Sequence, residues 1–369
     1  MPHRLVLVTG ATGKQGQSVI AALQPPTSAD TASQNEPENT PDFQILALTR
    51  SPSSETAQTL VKTYKNVTLV QGDLDDTESI REIFEEYKSS GGIWGVFSVQ
   101  TYPGLGADAS GEERQGKNIA SISHEYKVSC FIYSSSDRGD EREDDKLSIN
   151  KSRVAKVNIE KHVMELGKQG LPWTILRPVF FMEIFEGTVG WLTAGVFKAG
   201  LKPDAALQLV AAQDIGRAAA AAFKNPASYH QQVLILISDR YTLSALNEAH
   251  IRATASVNNG KEGQNLPALH WVGGWFIIRM NKWLGHFISE TNHLSLVTSP
   301  SHLSTDPELA SIREEQIKNG RRAVPNPVSF EEWVKGKTSK TKAKNGETEN
   351  AEKSGWNRVS IWGLITGKS

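Results

Sequence analysis

Leu5-Val6-Leu7-Val8-Thr9-Gly10-Ala11-Thr12-Gly13-Lys14-Gln15-Gly16 is the stretch of sequence that decides the fold. Its four apolar residues are typical of a buried parallel strand, and the apolar residues after Gly16 recur with helical spacing. Between them, a glycine at every third position indicates a tight turn from a strand into a helix. We expect Gly10 to permit the turn, and Gly16 to let the helix pack closely against the strand.

The same turn has the properties of an anion site. The first N–H groups of a helix are unpaired and lie at the positive end of the helix dipole, which favours a phosphate. A glycine at position 13 lets these groups approach the pyrophosphate of a dinucleotide without an intervening side chain. A glycine-rich turn without a ligand is the alternative, because a glycine triplet alone is not specific.

Strands and helices alternate along the first two thirds of the chain. Apolar runs typical of strands occupy residues 5–8, 43–48, 67–70, 95–99, 131–133, 173–178, 207–211 and 233–237. Helical spacing is found at residues 77–87, 111–126 and 152–166. This alternation predicts an α/β fold with a Rossmann-type, doubly wound parallel sheet, in which ligands bind at the carboxyl ends of the strands.

Charged residues at the strand ends indicate which dinucleotide would bind. Arg50 follows the second strand where an NAD site would have a carboxylate for the ribose 2′-hydroxyl, and Lys14 is a possible second cation. Two cations and no carboxylate suit a 2′-phosphate, so NADP(H) is expected in preference to NAD(H), unless Arg50 is only a solvated loop charge. Asp73, after the third strand, would meet the adenine edge, whereas Asp75 and Asp76 suit a helix N-terminus.

These pieces together resemble the NmrA-like family of atypical short-chain dehydrogenase/reductase proteins. The stretches that carry the resemblance are residues 8–16, 47–50, 71–76, 95–99, Lys156 with Ile159-Glu160, 176–183 and 214–216. The resemblance implies a Rossmann lobe that binds NADP and a smaller C-terminal lobe that closes over the nicotinamide. The residues expected to contact the cofactor are Gly10, Thr12, Gly13, Lys14, Gln15, Gly16, Arg50, Asp73, Leu74, Gln100, Lys156 and Pro178.

The resemblance also raises the question of catalysis. Short-chain dehydrogenases use Tyr-x-x-x-Lys, in which the lysine orients the ribose and lowers the pKa of the tyrosine that donates the proton. Here Lys156 is present, but Ser152 stands where the tyrosine would be. A serine hydroxyl is a far poorer proton donor near neutral pH. Isoflavone-reductase-like enzymes of the same superfamily also lack this tyrosine, so Lys156 remains a candidate catalytic residue, with an exposed surface lysine as the alternative.

We expect three regions. Residues 1–240 would form the nucleotide-binding lobe, with a polar surface insertion at 27–42, and residues 181–207 would contribute to the small lobe. Residues 241–335 would form a small, mostly helical lobe for a substrate or a partner. Residues 336–369 would be a charged linker and an apolar tail that docks on the body or on a partner protein, and a basic run would extend from residue 335 to residue 344.

Two stretches leave alternatives open. The apolar run Trp271–Ile278, followed by Trp283-Leu284, favours packing in the core of the small lobe, and a surface for a partner or a lipophilic substrate is the alternative. The charged loop 137–145 has arginines between its carboxylates and lacks the spacing of a calcium loop, so a metal there is disfavoured.

Composition excludes several classes of protein. A net charge of -1 gives no electrostatic case for nucleic-acid binding, and the nine histidines lack metal-ligand spacing, so neither nucleic acid nor a metal is expected. No apolar run reaches the ~20 residues that span a membrane. The single cysteine, Cys130, lies in an apolar run and is expected to be an inert core thiol, which fits a cytoplasmic or nuclear location.

Two functions compete on these observations. The first is a redox-sensing regulator that binds NADP(H) and has little or no dehydrogenase turnover, as the missing tyrosine indicates. The second is an NADPH-dependent reductase of a small lipophilic metabolite, in which Lys156 orients the cofactor or polarises the substrate. A third, an interaction module with a dead nucleotide site, is disfavoured because the glycines, Arg50 and Lys156 are all present.

Overall fold

The computed structural model describes residues 4–24, 42–146, 150–257 and 262–344. The predicted insertion, apart from Asp42, and the predicted apolar tail lie outside the described residues. The strands of the described part are β1 (Arg4–Val8), β2 (Phe43–Thr49), β3 (Val67–Gln71), β4 (Gly95–Ser98), β5 (Cys130–Ser134), β6 (Trp173–Pro178), β7 (Phe180–Phe181), β8 (Ala206–Val210), β9 (Gln232–Leu236) and β10 (Asp239–Thr242).

Helices connect and cover these strands. They are α1 (Lys14–Ala22), α2 (Glu55–Thr63), α3 (Thr77–Lys88), α4 (Ser110–Glu125), α5 (Lys151–Lys168), α6 (Gly187–Gly200), α7 (Ala212–Lys224), α8 (Leu243–Val257), α9 (Trp271–Met280), α10 (Lys282–Val297), α11 (Pro300–Leu303), α12 (Pro307–Ala323) and α13 (Phe330–Lys344). Short 3-10 segments occupy Glu141–Lys146, Met182–Phe185 and Pro226–Ser228. No helix within the described ranges is both long and apolar enough to span a bilayer.

Seven parallel strands form the main sheet in the order β3-β2-β1-β4-β5-β6-β9. The chain runs outward from β1 to β3, returns to β4 beside β1, and then runs outward on the other side. This order confirms the predicted Rossmann-type fold, whose ligand crevice lies where the strand order reverses, at the carboxyl ends of β1 and β4.

Side chains of β1 alternate between the two faces of the sheet. Val6 and Val8 pack into a core layer with residues of α1 and α7, whereas Leu7 packs into the opposite layer with residues of α3, α4 and α5. Successive residues of a strand point to opposite faces, so a strand covered by helices on both sides needs an unbroken apolar run. The N-terminal run that opens the sequence has this composition.

A second, three-stranded sheet, in the order β10-β8-β7, lies outside the main sheet. The prediction that residues 207–211 complete the main core is therefore wrong, because β8 pairs with β10 and β7 instead. A periodicity of two identifies a strand but does not identify its partner. With α6, α8, α9, α10 and α13, the small sheet surrounds a third core cluster that includes Phe197, Leu209 and Phe330.

The C-terminal helices pack on both parts of the molecule. Helix α12 packs against β9, the outermost strand of the main sheet, so close that a Cβ on Gly320 would lie 2.0 Å from the Ile235 carbonyl oxygen. The division predicted at residue 240 did not anticipate this return. Residues 335–344, predicted to be part of a linker, are helical and belong to α13.

Two helices of the first lobe, α2 and α3, begin at a polar side chain that caps them. Asp76 caps α3 by accepting from the Glu78 and Ser79 amides, which agrees with its predicted place at a helix N-terminus. Helix α2 has no counterpart among the predicted elements. It is capped by Ser54 and buries only Ala57 and Leu60, and two apolar positions are too few to give a clear helical period.

Candidate functional site

The glycine turn has the geometry expected of it. Gly10 has a φ of +57°, in the left-handed region that favours glycine. A Cβ on Gly16 would lie 2.3 Å from the Gly10 carbonyl oxygen, so helix α1 approaches the end of β1 as closely as only a glycine allows. On Gly13, a Cβ would meet only that same carbonyl oxygen, at 3.2 Å. The turn is therefore tight on its inner side and open on its outer side.

The N-terminus of α1 has free hydrogen-bonding capacity. Gly13 is the N-cap residue, and no side chain in the described part of the chain caps it. The first N–H groups of a helix need a partner when no side chain caps them, and an anion can supply it. An uncapped helix behind an open glycine turn fits a dinucleotide pyrophosphate.

Side chains beside this turn connect it to other elements. Gln15 accepts a 2.6 Å hydrogen bond from Ser134 Oγ at the carboxyl end of β5, and the Thr12 carbonyl accepts from Gln17. Lys14 forms an ion pair with Glu186, which also pairs with Lys337 at 2.6 Å. Burial raises the pKa of Glu186, but the hydrogen bonds and charges of the two lysines outweigh it and lower that pKa.

Strands β1 and β4 are joined at the crevice by a buried threonine. Thr9 Oγ1 donates to the Val99 carbonyl at 2.9 Å and accepts from the Val99 amide at 2.8 Å. The next residue, Gln100, is buried and donates through Nε2 to Ser98 Oγ, but its Oε1 has no hydrogen-bond partner in the described structure. A buried amide oxygen without a partner is costly, and a ligand N–H group in this crevice would satisfy it.

Arg50 and Asp73 lie at the carboxyl ends of β2 and β3. Arg50 is exposed, and it makes neither a hydrogen bond nor an ion pair with any described residue. Asp73 accepts from the Asp75 amide at 3.0 Å, and the neighbouring Leu74 carbonyl accepts from Asn118. Of the two predicted cations for a 2′-phosphate, Lys14 is already ion-paired, whereas Arg50 acts on described residues only through its charge, which favours the ionised form of Asp75.

Lys156 belongs to a compact polar group on the far side of the crevice. Its Nζ lies 2.6 Å from Oε1 of Glu112, whose carboxylate is buried at the start of α4. The other oxygen, Oε2, accepts a 2.6 Å hydrogen bond from Ser152 Oγ. One carboxylate therefore neutralises Lys156 and also accepts the hydrogen bond of Ser152, the residue at the position of the tyrosine in Tyr-x-x-x-Lys.

A small open pocket of about 20 Å³ lies beside Ser152. Its walls come from the loop after β4, the start of α5 and one face of α10; they are formed by Gly104, Leu105, Gly106, Ala107, Asn150, Lys151, Ser152, Trp283, His286, Phe287 and Glu290. Trp283, which the sequence analysis singled out as part of an apolar stretch, therefore forms part of a pocket wall. The walls of the pocket have aromatic rings on one side and polar groups on the other.

The predicted charged loop forms a buried network of ion pairs. Glu160 of α5 receives both Arg138 and Arg177, each through two nitrogens, at 2.6–3.2 Å. Asp137 pairs with the buried Arg313 of α12 at 2.9 Å, and the Pro178 carbonyl accepts from the Asp137 amide. The carboxylates of this loop hold arginines, and no group of three metal-ligating side chains occurs within the described residues.

Cys130 is buried in β5, and burial raises the pKa of its thiol to about 12. A protonated, inaccessible thiol is a poor nucleophile, which agrees with the predicted inert role.

Sequence reasoning missed the carboxylates that hold the two lysines of the site. Glu112 reads as an ordinary first-turn acid of α4, and Glu186 reads as a loop residue before α6. Each meets its lysine only through the fold, so no local spacing could have revealed either partner. The sequence does show that Glu112 is an acid at the start of the helix that follows β4, and this was the one available signal.

Comparisons with known proteins agree with this geometry. The model of the NmrA-like family matches residues 2–258. The chain is 26% identical over 285 residues to the NmrA-like family domain-containing oxidoreductase ptmS of Penicillium ochrochloron, a match that covers 72% of this chain and 76% of that protein.

Two solved structures show the same fold. One is NmrA, a negative transcriptional regulator, in complex with NADP (17% identity, 94% of this chain and 98% of that chain, TM-score 0.56). The other is the Citrobacter sp. triphenylmethane reductase complexed with NADP(H) (16% identity, 90% of this chain and 99% of that chain, TM-score 0.57).

Proposed function

The chain belongs to the NmrA-like family, and on that premise we propose that it binds NADP(H) and acts as a redox-sensing regulator with little dehydrogenase turnover. The open glycine turn before an uncapped helix supports a site for the pyrophosphate. The unpartnered oxygen of Gln100 supports a ligand in the crevice between β1 and β4. Solved structures of the same fold carry NADP or NADP(H).

Different residues of the crevice would bind different parts of the cofactor. The amides at the start of α1 would hold the pyrophosphate, Arg50 would pair with the 2′-phosphate, and Gln100 would accept a hydrogen bond from the ligand. When bound, the nicotinamide supplies a reversible two-electron couple. A guanidinium suits a phosphate because its N–H groups can contact two oxygens at once.

The observation that carries the regulatory role is the group formed by Lys156, Glu112 and Ser152. A short-chain dehydrogenase needs a hydroxyl that can give its proton to the substrate, with a free lysine beside it. Here the Ser152 hydroxyl donates to Glu112 and Lys156 is held in an ion pair with the same carboxylate, so binding without rapid turnover is the function that this site supports best.

The first test is a calorimetric titration with NADPH, NADP, NADH and NAD. We expect the two phosphorylated dinucleotides to bind more tightly, and Arg50→Glu to weaken them by roughly tenfold to a hundredfold, because a charge-assisted hydrogen bond is lost. Lys65→Glu is the matched control, because Lys65 is exposed at the opposite end of the same strands. Equal affinity for all four dinucleotides, or no binding, would contradict the proposal.

A sensor also needs to distinguish the two redox states. A ligand shifts a conformational equilibrium only through its different affinity for the two conformations. We therefore expect NADPH and NADP to differ in affinity, and the proteolysis pattern of the full chain to differ between the two complexes. Identical affinities and identical patterns would rule out sensing and leave only binding.

A reductase is the second candidate, and the pocket beside Ser152 favours it. The relative from Penicillium ochrochloron is named an oxidoreductase, and the Citrobacter protein is a triphenylmethane reductase. In this case Lys156 would orient the ribose, and the ring-lined wall near Trp283 and Phe287 would hold a small lipophilic substrate.

The reductase candidate is tested with NADPH and a panel of quinones and triphenylmethane dyes. Sustained consumption of NADPH would establish turnover and contradict the regulatory role. Lys156→Ala should then lower the rate by about a hundredfold, whereas Lys168→Ala, on the exposed end of the same helix, should leave it unchanged. An equal rate in both variants would remove Lys156 from the reaction.

A further inference from the structure

Helix α9 presents an apolar face that no described part of the chain covers. Trp271, Val272, Trp275, Phe276 and Met280 are each 48–57% exposed. They form two adjacent stripes at i, i+4 spacing, 271–275 and 272–276–280, which share one side of the helix. Gly274 and Ile277 occupy the opposite side and pack against α6.

The exposed face extends onto α6. Trp191 of that helix is 40% exposed, and its carbonyl accepts from the Leu269 amide, just before α9 begins. Large aromatic side chains are rarely exposed side by side, and a contiguous patch of them marks a site of interaction with a partner or a membrane. We call this surface, formed by Trp191, Trp271, Val272, Trp275, Phe276 and Met280, the α9 face.

The charges nearest to the α9 face are mostly positive and favour an anionic occupant. Residues 263–289, which contain α9, have no Asp or Glu, and residues 187–203, which contain α6, have none either. Exposed cations lie at one end of the two helices: Arg279 and Lys282 near the end of α9, and Lys198 and Lys202 near the end of α6. These helix ends meet where Gly200 packs against Ile278. Asp204 is the nearest exposed acid along the chain.

We propose that the α9 face is an interfacial membrane-binding surface for lipid bilayers with anionic headgroups. Tryptophan and phenylalanine enter the boundary between headgroups and acyl chains, while neighbouring lysine and arginine pair with the anionic lipids. The helix is far too short to span a bilayer, so the protein would lie on the surface. A second copy of the chain fits less well, because a two-fold contact through α9 would bring like charges together.

Helix α10 links this site to the pocket described above. Helix α10 follows α9 directly and packs against it, and its Trp283 and Phe287 form a wall of the pocket. Membrane binding itself does not depend on nucleotide binding, so the two proposals stand or fall separately.

The test is cosedimentation of the full chain with vesicles at low ionic strength. We expect binding to phosphatidylcholine vesicles that contain phosphatidylserine, and little binding to phosphatidylcholine alone. Phe276→Gln should lower the apparent affinity by about tenfold, because an inserted ring is lost. Leu296→Gln is the matched control: Leu296 is also 57% exposed but lies at the far end of α10. The Leu296→Gln variant should bind the anionic vesicles as tightly as the unmodified chain does.

A second variant tests the role of the charges. Arg279→Gln combined with Lys282→Gln should lower affinity for the anionic vesicles by roughly thirtyfold, since each surface cation contributes several-fold. Absence of binding to anionic vesicles, equal binding to neutral ones, or an equal loss in Leu296→Gln would overturn the proposal. So would a lipid-free dimer that Phe276→Gln dissociates, since the occupant would then be a second copy.

Discussion

Glu160 is the central carboxylate of the buried network of ion pairs. It lies almost completely inside the protein, and its two oxygens receive the guanidinium groups of Arg138 and Arg177. Removing one partner from a buried group of charges leaves the others with less compensation, which costs more than an exposed pair contributes. The stability of the loop after β5 therefore depends on this one carboxylate.

Glu160→Gln should lower the free energy of unfolding by about 3 kcal/mol, because two buried arginines lose one of their two carboxylate partners. Arg138 keeps Asp144, and Arg177 keeps Glu141. Glu165→Gln, on the same helix, removes an exposed carboxylate that pairs with Lys168 and should leave stability nearly unchanged. Urea unfolding followed by circular dichroism measures both. Equal stability of the two variants would mean that the buried network is not stabilising.

The same residue predicts a dependence on acid. Burial raises the pKa of Glu160, but the charges of Arg138 and Arg177 outweigh it and lower that pKa from 4.5 to about 2. A carboxyl with a lowered pKa in the folded state stabilises the protein above its unfolded pKa. This stabilisation should be lost as the pH falls from 4.5 towards 2. Free energies of unfolding at about pH 5 and pH 3 should differ less in Glu160→Gln than in the unmodified chain.

Residues differ in what the sequence reveals about them. The roles of Gly10 and Gly16 could be predicted because they follow from the local turn. Glu112 could not, because it meets Ser152 across 40 positions of the chain, and only the packing of α4 on α5 brings them together. The binding roles of Arg50 and Gln100 remain predictions that the titration tests.

At the scale of elements, helix α1 packs very closely against α7. A Cβ on Gly216 would lie 2.2 Å from the Ser18 carbonyl oxygen, well inside any allowed contact. This contact holds α1, and with it the glycine turn, against the sheet. The Asp214-Ile215-Gly216 stretch noted in the sequence therefore acts on the candidate site through packing.

Gly216→Ala should lower the free energy of unfolding by about 1–3 kcal/mol, because the new methyl group forces α1 and α7 apart. Gly285→Ala is a matched substitution within α10, where an added Cβ would have no neighbour within 4 Å. It should be neutral or stabilise by up to about 1 kcal/mol, as the helix propensity of alanine predicts. Chemical unfolding compares them, and a stable Gly216→Ala variant would contradict the packing argument.

Helix α9 shows why the sequence could not identify this surface. A helix that is apolar on all sides is normally buried, and on that rule the core was the favoured place for the run Trp271–Ile278. Only Gly274 and Ile277 of that run are buried, so the prediction of core packing is wrong for its large aromatic residues. Periodicity reports which residues are apolar, and only the fold decides which side of such a helix has a neighbour.

At the scale of the whole molecule, ion pairs and hydrogen bonds connect the C-terminal region to the nucleotide-binding lobe at several points. Arg313 of α12 reaches Asp137 after β5, and the Val328 amide donates to the buried Asp214 of α7 at 2.8 Å. Arg142 pairs with Asp306 at the start of α12. The sequence predicted a Rossmann lobe and a helical lobe correctly in kind, but it gave no sign of these long-range connections.

These connections predict that the described parts unfold together. We expect a single calorimetric transition, and we expect Arg313→Met to lower its midpoint by roughly 5 °C, because Asp137 is left buried without a partner. Arg252→Met breaks an exposed pair with Glu331 and should leave the midpoint almost unchanged. Two separate transitions in the unmodified chain would show that the lobes are energetically independent.

The pairing of Asp137 with Arg313 also bears on how the chain folds while it is being made. The two residues are 176 positions apart, so on a ribosome the aspartate emerges on the order of ten to thirty seconds before its partner. During that interval a carboxylate destined for the interior has only water to solvate it, and β9 lacks the helix that later covers it. The edge strand β9 therefore stays uncovered until α12 has been synthesised, a period in which chaperones would find exposed apolar surface to bind.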